Sequence, residues 1–388
     1  MLEDKLQEVL NQRTQQGLYR KRLVIQSPQG VHTQINDRSM LSFCSNDYLG
    51  LANHPDIKQA FIDATNKFGV GSGSAHLVNG HSALHHECEL MLAEFTGRDR
   101  ALLFSTGYMA NLAITSGLMR RKDVIFQDKL NHASLIDAAK LSDAKFVRYR
   151  HNDHEQLSRL LEQHQDSSIR RLIMADAVFS MDGDYADVTE LSSRAKKTQS
   201  WLMLDDAHGI GVLGDTGAGI CEMNKLSQSD VPVLMSTLGK AVGVSGAFIA
   251  GSETLIETLI QNSRSYIYTT ASPPAQAAAI MKSIQIIREH SWRRVKLREL
   301  IGYFKQQAYK HDLELMPSDT AIQPLVVGDN HKALTISQQL FEQGIHVTAI
   351  RPPTVPENTA RLRITLSAIH EKEHIDKLIQ KLVRILSA

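Results

Sequence analysis

Seven short apolar runs between residues 101 and 250, alternating with helical patterns, restrict the fold more than any other feature of this sequence. They are ALLF (101 to 104), VIF (124 to 126), FVRY (146 to 149), LIM (172 to 174), WLML (201 to 204), VLM (233 to 235) and AFIA (247 to 250). Runs this short and without polar alternation suit strands buried on both faces, and strands joined through helices pair mostly in parallel. The expected architecture is α/β, with a mostly parallel seven-stranded sheet covered by helices on either side.

The flanks complete the plan. A polar N-terminal helix and a strand-like stretch lead to SFCSNDYLGL, an arm spanning residues 1–50. Ile57, Ala60, Phe61, Ala64 and Phe68 then share one helical face, as do Leu84, Cys88, Met91, Leu92 and Phe95, with Gly97 placed as a C-terminal stop. Around Ser272-Pro273-Pro274 the pattern changes to a long helical stretch, about 274–310. After it come a strand at IQPLVV, a helix, strands near HVTAI and LRITL, and a closing helix in IDKLIQKLVRIL. These readings predict a large domain over 51–275 and a smaller C-terminal α/β domain over 276–388.

Composition narrows the class of partner. With 388 residues, 42% hydrophobic and 22% charged, the chain is an ordinary globular sequence, long enough for two domains. Lys+Arg 43 against Asp+Glu 42 leaves a formal net charge of +1, too weak a field to select nucleic acid or an anionic membrane. A small molecule is the expected partner. Cys44, Cys88 and Cys221 are odd in number and far apart, which points to neither a disulfide framework nor a thiolate metal site. The start, MLEDKLQEVLNQR, has no apolar core, and no run of about 18 apolar residues occurs, so a cytoplasmic protein is expected.

In open parallel sheets, ligands gather beyond the carboxyl ends of the strands. Here ALLF is followed by Ser105-Thr106-Gly107-Tyr108, VIF by Asp128 and Asn131-His132, and LIM by Asp176 and then Ser180. WLML is followed by Asp205-Asp206-Ala207-His208 and VLM by Ser236-Thr237-Leu238-Gly239-Lys240. One such set is an ordinary helix cap; five in a single sheet suggest a site. The Ser-Thr-Gly turn opens a helical pattern and would face an anion such as a phosphate, with the Thr237 hydroxyl as a further donor. Lys240 lies among Gly239, Gly243 and Gly246 with no neighbouring carboxylate, a setting that suits a Schiff-base lysine as well as an ordinary loop lysine. Asp205 shifts the balance, because a pyridine-ring cofactor needs a carboxylate to keep its ring nitrogen protonated. His208 suits a bond to the phenolic oxygen of such a cofactor and His132 a place stacked over its ring, although either histidine also reads as structural.

Two other patterns compete. His81 and His85 are four apart on a helix, with His86 and Glu89 nearby, a metal-ligand spacing without the general-base glutamate of HExxH. The expectation is no metal. Gly69-Val70-Gly71-Ser72-Gly73-Ser74 lacks the GK[ST] ending of a phosphate loop and follows a helix, so it reads as a flexible turn.

Taken in order, SNDYLGL (45 to 51), FSTGYMAN (104 to 111), NHASLIDAA (131 to 139), VFSMDGD (178 to 184), LDDAHGIGVLG (204 to 214), STLGKAVGVSGA (236 to 247) and AIRPPTVPENTARLRITLSA (349 to 368) resemble the α-oxoamine synthases. These are fold-type I pyridoxal 5′-phosphate (PLP) transferases. IQPLVVGDN (322 to 330) and RPPTVP (351 to 356) are similar to the branch acting in biotin biosynthesis. The resemblance implies a decarboxylative condensation of L-alanine with pimeloyl-CoA or pimeloyl-acyl-carrier protein by a homodimer. Catalytic roles would fall to Lys240, His132, Asp205 and His208, and cofactor contacts to Gly107, Tyr108, Ser180 and Thr237. Thr269 or Thr270 would reach the phosphate of the partner subunit. Substrate contacts would come from Arg20, Asn46, His132, Thr354 and Arg363, a guanidinium fork suiting a carboxylate. Asp176 stands where this family usually has Glu, Tyr108 where Phe is common, and GSGSAHLVNG departs from a GSGGSR-like run. A glycine- or serine-using sister enzyme and a non-catalytic PLP-binding protein are the rival readings.

Overall fold

The structure, a computed structural model, describes residues 1–387. The chain forms two compact units. One comprises Leu51–Phe179 and Tyr185–Arg294, and the other Met1–Gly50, Ser180–Asp184 and the chain from Val295 onward. The sequence boundary at 275 therefore moves: residues 276–294 remain in the larger unit, and the N-terminal arm is part of the smaller one.

Strand pairing explains the arm's place. After an N-terminal helix, Leu2–Gln15, strands β1 (His32–Ile35) and β2 (Arg38–Ser42) form a hairpin. Its two turn residues, Asn36 and Asp37, both have positive φ, the geometry of a tight two-residue turn that these residue types tolerate.

The larger unit is built on strands β3 (Arg100–Phe104), β4 (Val124–Asp128), β5 (Lys145–Tyr149), β6 (Arg171–Asp176), β7 (Trp201–Asp205), β8 (Val233–Thr237) and β9 (Ala247–Gly251). Their order is β3-β9-β8-β7-β6-β4-β5. All seven apolar runs are strands of this one sheet. Pairing is parallel except at β9, which is antiparallel to both β3 and β8. The link from β8 to β9 is too short for a helical crossover, so the chain must turn back on itself, and that turn carries Lys240. Successive strand residues serve opposite faces. Leu172, Met174, Met203 and Met235 pack with Ile114 and Leu259 on one side, while Ile173, Leu202, Leu204 and Leu234 pack with Leu157 and Leu191 on the other. Burying each such side chain contributes roughly 1.5–3 kcal/mol, so β6, β7 and β8 anchor both helical layers.

The helical stretch expected from 274 to 310 is two helices, Pro274–Glu289 and Trp292–Lys310. His290 leaves helical geometry at φ −102°, ψ 56°, and Arg294 donates to the Ile287 carbonyl at 2.6 Å, satisfying an end acceptor of the first helix.

In the smaller unit, β10 (Ile322–Gly328), β13 (Ala360–Thr365) and β12 (Thr348–Ile350) make an antiparallel sheet in the order β10-β13-β12. HVTAI, expected as one strand, is split at Val347. The segment before it, β11 (Ile345–His346), pairs in parallel with β2, and this pairing ties the arm to the C-terminal part of the chain. The closing helix Lys372–Leu386 buries Ile375, Leu378, Ile379 and Leu382. No helix among the described residues is long and apolar enough to cross a membrane.

Candidate active site

Register aligns the polar residues at the carboxyl edge of the sheet. Asp176, Asp205 and Thr237 are the last residues of β6, β7 and β8, and Asp176 lies directly opposite Asp205. Two carboxylates on neighbouring buried strands cannot both carry charge cheaply. The structure separates them by their donors. Asp205 accepts from the Asn111 amide at 3.0 Å and from the Ala207 N–H at 3.1 Å. Asp176 accepts from the His132 N–H at 2.5 Å, and burial, followed by the Asp205 charge, pushes its pKa well above the usual carboxylate range. Asp206, next in sequence, points elsewhere: it accepts from the Ile220 N–H at 2.7 Å, and burial pushes it up to about 8. Its carboxyl lies where a Cβ at Gly209 or Gly219 would be, so those glycines exist to admit it.

Lys240 Nζ is 3.0 Å from His208 Nε2. The loop carrying it is pinned by Gly243 N–H to the Lys240 carbonyl (2.8 Å), by Val244 N–H to the Leu238 carbonyl (2.9 Å), and by Ser283 Oγ donating to the Val242 carbonyl at 2.6 Å. His132 caps the helix Ala133–Leu141, its Nδ1 2.7 Å from Ser134 Oγ. One side of the residue is open, yet the packing around its ring pushes the pKa down through desolvation, opposed by Asp205 and reinforced by Lys240.

Thr106 caps the helix Gly107–Leu118 by accepting from the Met109 N–H. Among the described residues, the N–H groups of Gly107 and Tyr108 donate to no protein atom. Beside them Thr237 Oγ1 is buried without a partner, and a Cβ on Gly107 would come within 2.6 Å of Thr237 Cγ2. An orphan hydroxyl next to an open helix N-terminus needs an anionic acceptor, as a phosphate supplies. Thr269 and Thr270 line a small recess with Ser105, His76, Tyr266 and Ser272. An open helix N-terminus beside an unpartnered hydroxyl, a primary amine, a carboxylate held by an amide and an exposed imidazole are donor types that fit PLP.

The smaller unit holds a second group. Arg363 donates from Nε to the Ser180 carbonyl at 2.7 Å and from Nη1 to Asn46 Oδ1 at 3.1 Å and Thr365 Oγ1 at 3.0 Å. Tyr48 Oη donates to the same Asn46 oxygen at 3.3 Å. Ser180 thus presents its carbonyl to the arginine. Arg20 Nη2 is 3.5 Å from Thr354 Oγ1, and both border a recess with Leu18, Arg351 and Pro352.

The profile of the aminotransferase class I and II family matches residues 38–382. A protein named 8-amino-7-oxononanoate synthase from Saccharophagus degradans is 52% identical over 387 residues, covering 99% of this chain and 97% of that one. The chain belongs to the 8-amino-7-oxononanoate synthase family. Among solved structures, a serine palmitoyltransferase from S. paucimobilis with bound PLP and myriocin matches with a TM-score of 0.93 at 27% identity, covering 98% of this chain and 96% of that one. An 8-amino-7-oxononanoate synthase from Francisella tularensis matches with a TM-score of 0.79 at 31% identity, covering 90% and 98%.

Two residues of this synthase fold escaped the sequence reading. Asn111 is fully buried, and its amide bridges Asp205 and Ser134 (2.9 Å). A polar side chain one turn inside a helix, where asparagine is disfavoured, was the available signal. The histidine group is compact, with His76 Nδ1 2.9 Å from His81 Nδ1, but His85 commits both ring nitrogens, Nδ1 to the Ser82 N–H and Nε2 to the Ser272 carbonyl.

Proposed function

We propose that this chain joins L-alanine to pimeloyl-CoA, or to its acyl-carrier-protein equivalent, releasing carbon dioxide and the free thiol and forming 8-amino-7-oxononanoate. The observation that carries the reading is the Lys240 amine, 3.0 Å from His208, in the loop that leaves β8 beside the Asp205 strand end. Gly107 and Tyr108 N–H groups with the Thr237 hydroxyl would hold the cofactor phosphate, and Lys240 Nζ would be its covalent attachment point. When bound, PLP supplies an electron sink for the α-carbon of the amino acid.

The chain's own groups do the rest. Asp205, oriented by Asn111, keeps a proton at the ring nitrogen. His208 would donate to the phenolic oxygen of the cofactor, and His132 would lie against its ring. Lys240 Nζ, as a free amine, would take the Cα proton of alanine as general base. His132 donates a hydrogen bond to the oxyanion that develops on the thioester carbonyl. In the smaller unit, Arg363, aimed through Nε and Nη1 by the Ser180 carbonyl and Asn46, would bind the amino-acid carboxylate with its remaining Nη2 group. Arg20 and Thr354 contact the acyl substrate, the protein works as a homodimer, and Thr269 or Thr270 contributes to the partner's phosphate site.

The test offers L-alanine, glycine and L-serine separately with pimeloyl-CoA, pimeloyl-acyl-carrier protein and acetyl-CoA, and measures carbon dioxide and ketone product. Alanine with a pimeloyl thioester should be preferred by orders of magnitude. Preference for glycine or serine would overturn the substrate assignment, and no release of carbon dioxide from any pair would overturn the activity.

A further inference from the structure

The hydrogen bonds around Ser134 dictate which nitrogen of His132 carries its proton. Asp205 Oδ2 is a carboxylate oxygen and only accepts, so the Asn111 atom 3.0 Å away is its NH2 group. The other hydrogen of that NH2 points to Ser134 Oγ at 2.9 Å. Ser134 Oγ therefore accepts from Asn111, and its single hydrogen goes to its remaining neighbour, His132 Nδ1, at 2.7 Å. Ser134 also donates its backbone N–H to the same nitrogen at 3.2 Å. With two donors aimed at it, Nδ1 must be a bare acceptor.

We infer that Ser134, oriented by Asn111, is a positioning residue that holds His132 as the neutral Nε2–H tautomer. His132 then offers one function on its outer nitrogen, hydrogen-bond donation. A base at that nitrogen is excluded, which leaves proton removal to Lys240. Protonating Nδ1 would set its hydrogen against the Ser134 N–H and force the Ser134 hydroxyl to turn its own hydrogen away. The lowered pKa of His132 agrees with this arrangement. The same amide that steadies Asp205 thus also sets His132, so the two ends of the relay are built from one helix residue, Asn111.

The catalytic consequence rests on the role proposed above for His132; the tautomer does not. Long-range proton–nitrogen correlation spectra of the PLP-loaded protein with 15N-labelled histidine, assigned with His132→Asn, read the ring directly at pH 8. The expected result is a protonated Nε2 and a bare Nδ1. Ser134→Ala removes the hydroxyl donor and keeps the backbone N–H, so the Nδ1–H tautomer should become more populated than in the parent. Its kcat should fall by up to about tenfold with KM for alanine unchanged, the effect of losing one of the two oriented hydrogen bonds. Ser134→Thr, which keeps the hydroxyl, should retain the parent spectrum. A protonated Nδ1 in the parent protein, or an Ala variant with an unaltered spectrum, would overturn the inference. A mixed tautomer with unchanged kcat would leave the relay standing and remove the donor role of His132.

Discussion

Charge placement at individual residues governs both the chemistry and the pH response. Lys240→Ala should abolish turnover and the capture of cofactor by borohydride, while PLP still binds without a covalent link; near-normal activity in this variant would refute the assignment. Asp206 has a different effect. Its folded pKa, about 8, lies above the ordinary 3.8, so folding favours the protonated acid. That contribution is complete below about pH 4, and it is lost as pH climbs towards 8 because the unfolded chain gives up the proton first. Asp206→Asn should therefore show a smaller fall in Tm between pH 6 and pH 8.5 than the parent, a comparison in which other titrating groups cancel. An equal fall in both proteins would mean that Asp206 is ionised in the fold. The strand-end residues Asp176, Asp205 and Thr237 were legible in sequence because each follows an apolar run. Asn111 and Ser134 were not, since their importance lies in contacts with residues far along the chain.

Among the elements, the β8–β9 turn bears most directly on function because it must reverse the chain and present Lys240 at the same time. Gly243 makes this feasible. Its φ is +73°, and a Cβ there would come within 2.6 Å of the Ala52 backbone nitrogen. Gly243→Ala should cost roughly 1–3 kcal/mol of strain and lower kcat by displacing the loop. Gly302→Ala, in a helix with open space around the added atom, should be neutral or raise stability by about 0.5–1 kcal/mol. Thermal unfolding of both variants, with activity assays, makes the comparison; equal behaviour would show that the turn is not strained. Element type followed readily from hydrophobic periodicity. Element limits did not where tertiary contacts intervened, as at His290, where Arg294 ends one helix, and at Val347, where two halves of one apolar run join different sheets.

Across the whole molecule, the larger unit contains the residues expected at the cofactor except Ser180, and the smaller unit contains Ser180 with Arg363 and Asn46. Stripping PLP with hydroxylamine should abolish activity and lower Tm, and adding PLP back should restore both. At a free PLP concentration 100 times Kd, binding stabilises by about 2.7 kcal/mol. EDTA should leave the activity unchanged, and loss of activity with the chelator alone would point instead to the His76, His81 and His85 group. Local pattern in the chain was enough to determine the α/β class and the seven strands, while the cofactor chemistry needed the ordered set of motifs along the whole chain. Periodicity and residue type reflect which side chains must leave water and which must meet a ligand, and both requirements are written locally. The antiparallel β9, the union of the arm with the C-terminal segment, and the Asp205–Asn111–Ser134–His132 relay came only with the tertiary structure. Each depends on pairing between residues distant in sequence, a choice made by backbone hydrogen bonding and packing that no local pattern encodes.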